Sequence, residues 1–246
     1  MKFEKVMLIT GGAKRIGKAL VEHFHQHGYR VCFSYATSHT QATELSRSLN
    51  DKQPNSVIAI NTQLQSPGQP IALVDTCLKH FKRLDLVINC ASSFFPTPIG
   101  TITRADWDEL MDTNCYAPLC ICQHATEALL QTKGSIINII DIHAFRPMPR
   151  HVVYSITKAS LLALTQSLAI ELSPNIRVNA IAPGTILWAE HNQDPATKPE
   201  AVLPKIPLNR LGTVEEVAQS AYYLAEHATY TTGQVIALDG GRHLQL

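Results

Sequence analysis

The feature that most constrains this chain is a repeated alternation of short apolar runs with helix-length stretches. Lys5 to Thr10, Arg30 to Tyr35, Ser56 to Ile60, Leu84 to Asn89, Ser135 to Asp141, Ile176 to Ala182 and Gln234 to Leu238 each read as a strand. Helical patterns lie between them, among them Arg15 to His27, Thr40 to Leu49 and Tyr154 to Leu172. The apolar runs show no polar alternation, so both faces of each strand must be buried. A parallel sheet covered by helices on both faces meets that demand. The expected fold is therefore α/β, a doubly wound parallel sheet of about seven strands.

No internal repeat, low-complexity tract or long linker interrupts the 246 residues, so they read as one domain, 1–246. Thr185 to Asn209 carries Pro195, Pro199, Pro204 and Pro207, which break any long helix; the segment is expected to form a lid over a ligand. With 45% hydrophobic and 17% charged residues the chain lies far from the profile of disordered proteins. A formal net charge of +1, with acids and bases interspersed, offers neither a nucleic-acid footprint nor a polybasic membrane patch. A small molecule is the expected partner. No run approaches the ~20 apolar residues of a membrane span, and Val6 to Thr10 is too short for a signal segment, so a cytoplasmic protein is expected. Six cysteines are scattered without a CxxC pair, which predicts no disulfides and no zinc.

In a doubly wound sheet ligands bind at the carboxyl ends of the strands. Here the first strand ends in Thr10-Gly11-Gly12-Ala13-Lys14-Arg15-Ile16-Gly17. Glycines allow a tight turn and close approach of backbone to a pyrophosphate, whose charge the following helix N-terminus favours. That makes the domain Rossmann-like. An acidic side chain about twenty residues on would hold the ribose hydroxyl of NAD, yet His23 to Thr43 contains no Asp or Glu. Ser34, Tyr35, Ala36, Thr37, Ser38 and His39 stand there instead, offering hydroxyls and an imidazole, while Lys14 and Arg15 bring positive charge. A ribose phosphate suits that setting, so NADPH is the expected cofactor.

Tyr154 and Lys158 are four apart on a predicted helix and share one face. A phenol with a pKa of about 10 is a poor acid or base at neutral pH. A nearby ammonium is expected to bring it toward working pH. With the glycine loop from Thr10 to Gly17, Asn89-Cys90-Ala91-Ser92, Asn114, Tyr154 with Lys158, and Arg177 through Pro183-Gly184, the chain resembles the short-chain dehydrogenase/reductase family over nearly its whole length. The resemblance implies that Tyr154 donates a proton, that Lys158 holds the nicotinamide ribose, and that Asn114 supports a water-linked proton path. It implies cofactor contacts from Gly11, Lys14, Arg15, Ile16, Asn89, Ala91, Ser92, Pro183 and Gly184. It also implies a homotetramer.

Three departures from the family's usual pattern narrow the substrate. Arg15 replaces the loop's middle glycine. Asp141, thirteen residues before Tyr154, replaces a serine that steadies a substrate carbonyl. Phe94-Phe95-Pro96-Thr97-Pro98 follows Ser92-Ser93 at the mouth of the site. A carboxyl group can help deliver a proton to a ring nitrogen and accept hydrogen bonds from an amino-substituted heterocycle. A phenyl ring at Phe94 can stack on a flat substrate. Together with the ending Asp239-Gly240-Gly241-Arg242-His243-Leu244, these features resemble the pteridine reductases, including the dihydromonapterin reductases. That resemblance implies reduction of a dihydropterin to its tetrahydro form, with dihydrofolate a second candidate, and substrate contacts from Arg15, Ser92, Phe94, Asp141 and Tyr154. Cys90 and Gln63 depart from it, replacing an asparagine and an adenine-contacting aspartate.

Bland readings stand beside these. His23, His25 and His27 read as structural or solvated rather than as metal ligands. Phe95 reads as a core plug, Asp141 could cap a turn, and His143 and Trp188 could face the site or pack. The rivals are a ketone or 3-oxoacyl reductase, which calls for serine at 141, and a non-catalytic NADP(H)-binding regulator, which would have no use for Asn114, Tyr154 and Lys158 together.

Overall fold

A computed structural model describes residues 5–186 and 199–245. The strands are β1 (Lys5–Ile9), β2 (Tyr29–Tyr35), β3 (Val57–Asn61), β4 (Leu86–Asn89), β5 (Ser135–Ile139), β6 (Arg177–Pro183) and β7 (Val235–Leu238). They form one sheet in the order β3-β2-β1-β4-β5-β6-β7, every neighbour parallel. The helices are α1 (Arg15–Gln26), α2 (His39–Lys52), α3 (Gln69–Phe81), α4 (Arg104–Met111), α5 (Ala117–Thr132), α6 (Val152–Glu171), α7 (Pro199–Val202) and α8 (Val214–Glu226). A π-helical turn, Asp112–Tyr116, joins α4 to α5.

The uninterrupted apolar runs have the expected cause. On β1, Met7 and Ile9 pack into a core shared with α1, α2 and α8, while Val6 and Leu8 enter a second core with α3 and α5. Successive strand residues point to opposite faces, so a strand with a helical layer on each side is apolar at every position. At the far end of the sheet Arg177 donates to the carbonyls of Leu224, Ala225 and Ala228 and satisfies the C-terminus of α8.

β5 stops at Ile139 rather than Asp141. The Asp141 carboxylate Oδ1 accepts the His143 N–H at 2.8 Å and turns the chain into a short 3₁₀ helix, Ile142–Ala144. The segment expected to form a lid is described at Thr185, Ile186 and 199–209, where α7 and a 3₁₀ turn at Leu203–Lys205 lie. The rest of it, including Trp188, falls outside the described residues. No helix among the described residues is long and apolar enough to cross a membrane.

The histidines of α1 and its C-cap diverge. His25 is buried and bonded to Ser56 Oγ at 2.8 Å, whereas the His23 and His27 rings lie 4.4 Å apart, tilted, beside Tyr222 of α8. Burial lowers the pKa of His23, helped by His27, and burial followed by Lys52 lowers that of His25. The unfolded chain then binds these protons more tightly than the fold. Their contribution to stability is complete above the ordinary histidine value of 6.5 and is lost as pH falls through the lowered folded values. The unfolding midpoint is expected to drop between roughly pH 7 and 5. His25→Gln, which can still bond Ser56 but does not titrate, should flatten that decline in a thermal melt.

Candidate active site

The strand order reverses between β1 and β4, and a cavity of about 860 Å³ opens at the carboxyl ends of the strands there. Thr10 Oγ1 accepts the N–H groups of Cys90 and Ala91, each at 3.0 Å, and so ties the end of β1 to the loop after β4. From the other side Ser34 accepts the Gly11 N–H through Oγ at 3.3 Å and the Gly12 N–H through its carbonyl at 2.9 Å. A Cβ at Gly12 would lie 2.6 Å from Phe33, and one at Gly17 would lie 2.0 Å from the Gly11 carbonyl oxygen. These two glycines therefore let the loop close tightly against β2 and against the first turn of α1.

Arg15 opens α1 at φ +52°. A non-glycine residue is uncommon there, which explains why a glycine is usual at this place and marks the guanidinium as worth the backbone cost. The first turn of α1 holds no acidic residue, and Lys14 and Arg15 add to its positive end. Gly11, Lys14, Arg15, Ile16, Tyr35, Ala36, Thr37 and Ser38 all line this part of the cavity, as do Pro183 and Gly184 farther along. The set fits a phosphate-bearing dinucleotide.

The remaining part of the cavity holds Tyr154, Lys158, Asp141, Ser92 and Phe94. Tyr154 and Lys158, on one face of α6, are 5% and 2% exposed. The Tyr154 hydroxyl donates to Asp141 Oδ2 at 2.8 Å, and Lys158 Nζ donates to the Ile139 carbonyl at 3.1 Å and lies 5.6 Å from the Tyr154 ring centroid. Asp141 is thus both a cap and a site residue, with one oxygen for each task. Phe94 stacks on His151 at 4.6 Å and meets Tyr154 edge-on at 4.7 Å.

The electrostatics correct one expectation. Burial raises the Tyr154 pKa well above its ordinary value, and the charge of Asp141 and its hydrogen bond push the same way. Burial first and then Asp141 set this direction, because a buried phenol resists ionisation and a neighbouring carboxylate opposes formation of phenolate. Burial also lowers the Lys158 pKa, opposed by Asp141 and then Cys90. Burial pushes the Cys90 thiol up to about 12, so it stays protonated. The arrangement is a phenol held in its acid form beside a carboxylate and a buried amine.

Two expected contacts are displaced from the cavity. Asn89 turns inward, donating to Asn138 Oδ1 at 2.8 Å and to Cys122; it lies at the end of β4 and braces the sheet beneath the site. Asn114 is fully buried in the π turn, where its amide accepts the Ser93 N–H at 2.8 Å and donates to the Ser93 carbonyl and Thr157 Oγ1. With both amide atoms so engaged, Asn114 is seen holding the Phe94 loop against α6. Thr97 adds a second tie by accepting the Val153 N–H at 3.1 Å. Phe95 is half-buried and lies outside the cavity lining, while His143 lines it and bonds the Arg146 carbonyl.

Ser34, in the stretch where an acidic residue was absent, lines the cavity as its place predicts, whereas sequence reasoning missed Thr62 and Arg242 as cavity residues. Nothing in spacing pointed to Arg242.

Comparison with known proteins finds relatives over nearly the whole chain. Residues 11–243 match the family described as enoyl-(acyl carrier protein) reductase. The chain is 32% identical to pteridine reductase 1 of Leishmania tarentolae, with 97% of this chain and 96% of that protein covered. It is 32% identical to glucose 1-dehydrogenase 2 of Bacillus subtilis (98% and 95% covered). It is 31% identical to a 3-oxoacyl-[acyl-carrier-protein] reductase of Staphylococcus aureus (99% and 100% covered).

Proposed function

This chain belongs to the short-chain dehydrogenase/reductase family, and from that membership we propose that it is an NADPH-dependent pteridine reductase. Among its relatives are enzymes named for pterin, sugar and acyl substrates alike, so the choice rests on the site. The observation that carries it is the Tyr154 hydroxyl bonded to Asp141 at 2.8 Å. A ketone oxygen gathers negative charge as it is reduced, and a carboxylate beside the proton donor opposes that. A ring nitrogen of a dihydropterin that takes up a proton gains from the same carboxylate.

Lys158 and the loop from Gly11 to Gly17 would hold the nicotinamide dinucleotide, which would supply the hydride for the carbon of the C=N bond. Tyr154 delivers the proton to the nitrogen, and Asp141 and Lys158 govern that proton from either side. Phe94, braced by His151, offers ring surface for a flat heterocycle. Lys14, Arg15 and the Tyr35–Ser38 stretch would receive a ribose phosphate, which favours NADPH. The test is NADPH oxidation with dihydrobiopterin, dihydromonapterin, dihydrofolate and an acetoacetyl thioester. Turnover of a pterin is expected, and turnover of the thioester alone would refute the reading.

Lys158→Ala is expected to weaken both NADPH binding and kcat by about tenfold or more, because it removes a buried cation from the phenol and from the ribose site at once. Fluorescence titration of NADPH alongside steady-state kinetics checks both. The partner is proposed to be further copies of the chain in a homotetramer. Trp107, Tyr116, Leu119 and Ile156 on α4 to α6 leave aromatic and aliphatic surface exposed that self-association would cover.

A further inference from the structure

Arg242 follows β7 and enters the cavity from the side opposite the glycine loop, since the sheet runs from β1 through β4, β5 and β6 to β7. One terminal nitrogen donates to Thr185 Oγ1 at 2.6 Å, which anchors the head at the start of the segment after β6. Its Nε is buried and has no hydrogen-bond partner, one of two such side-chain atoms among the described residues. A buried donor left unmatched is costly, and more so when charged.

The nearby carboxylates are already engaged. Asp239 accepts the N–H groups of Gly241 and His243 and bonds the His243 ring. Asp141 takes the His143 N–H on one oxygen and the Tyr154 hydroxyl on the other. Burial lowers the Arg242 pKa, while the charges of Asp141 and Asp239 counter that and keep the guanidinium cationic. What the cavity lacks for Arg242 is an acceptor, and the cofactor's phosphates belong to the far side of the sheet.

We propose that Arg242, which lines the cavity, is a substrate-binding residue whose guanidinium donates to an oxygen on the substituent that extends from the reduced ring. The choice of substrate rests on the pterin reading above; the open donor does not. Reduced pterins offer hydroxyl oxygens at that place and folates offer carbonyl and carboxylate oxygens, so the shared chemistry is an oxygen acceptor beyond the ring. Arg242 then determines which substituent is favoured, and Thr185 holds it in position.

Arg242→Met and Arg242→Lys are tested against 7,8-dihydromonapterin, dihydrofolate and 7,8-dihydropterin without a side chain. Arg242→Met should raise KM about tenfold or more for the oxygen-bearing substrates with kcat little changed. The bare pterin and the Kd for NADPH should move less than about twofold. Arg242→Lys keeps a cation near Asp141 but lacks the planar fork of donors that Thr185 orients, so it should lose the same discrimination. Loss confined to dihydrofolate would assign the acceptor to its carbonyl or carboxylates, and loss with dihydromonapterin to a hydroxyl. An equal fall on the bare pterin, or no fall on any substrate, overturns the inference. If the wild-type protein turns over the acetoacetyl thioester and no pterin, the functional reading fails by itself. Arg242 is then judged on the thioester, where an unchanged KM overturns its role and a tenfold rise sustains it.

Discussion

Tyr154→Phe is expected to lower kcat by about 10²- to 10⁴-fold, the usual worth of a positioned general acid, while the Kd for NADPH stays within about twofold. The phenol is the group placed to give up a proton inside the cavity, and burial and Asp141 keep that proton on it at every working pH. Phenylalanine preserves the ring and its edge-on contact with Phe94 at 4.7 Å, so packing changes little. Rapid mixing of enzyme, NADPH and dihydropterin measures the hydride step directly. Retention of more than a tenth of wild-type kcat would remove Tyr154 from the chemistry. An equal loss of cofactor affinity would make its role structural.

Asp141→Asn should cut kcat on a dihydropterin by about 100-fold with little change in thermal stability. Asparagine still caps the turn before Ile142, since its carbonyl can accept the His143 N–H that the carboxylate takes at 2.8 Å. Only the charge is lost. Two of the three influences that raise the Tyr154 pKa come from Asp141, so it should descend in the variant. Asp141→Ser, which restores the family's usual residue, is expected to shift relative kcat/KM toward the acetoacetyl thioester. If Asp141→Asn reduces dihydropterin as fast as the wild type, Asp141 is a cap alone and the preference for a nitrogen heterocycle has no basis.

Much of the architecture was legible before any coordinates. Seven apolar runs without alternation can satisfy themselves only in a parallel sheet with a helix layer on each face, and the glycines after β1 locate the crevice where strand order reverses. Tyr154 and Lys158 were legible because a helix repeats every 3.6 residues and four positions bring them onto one face. Strand ends were less so: Asp141 continues an apolar run in sequence, yet its carboxylate ends β5 by bonding a backbone N–H two residues on. Asn89 and Asn114 stood at the expected places, but their side chains turn into the interior, where Asn89 ties β4 to β5 and Asn114 braces the loop at Ser93.

The sequence by itself determined the layered sheet, the nucleotide crevice and the placing of Tyr154 and Lys158 on one helix face, since each follows from local period, glycine geometry or helical spacing. Tertiary structure alone decided what surrounds that phenol and how its proton is held. Charges and burial act through space, so the upward shift on Tyr154 comes first from its burial in the fold and then from Asp141, which meets it from the turn after β5, thirteen residues away in the chain. Arg242 reaches the same cavity only because β7 pairs with β6 and delivers the chain's last turn beside Thr185. No spacing rule encodes a contact between residues fifty-seven positions apart.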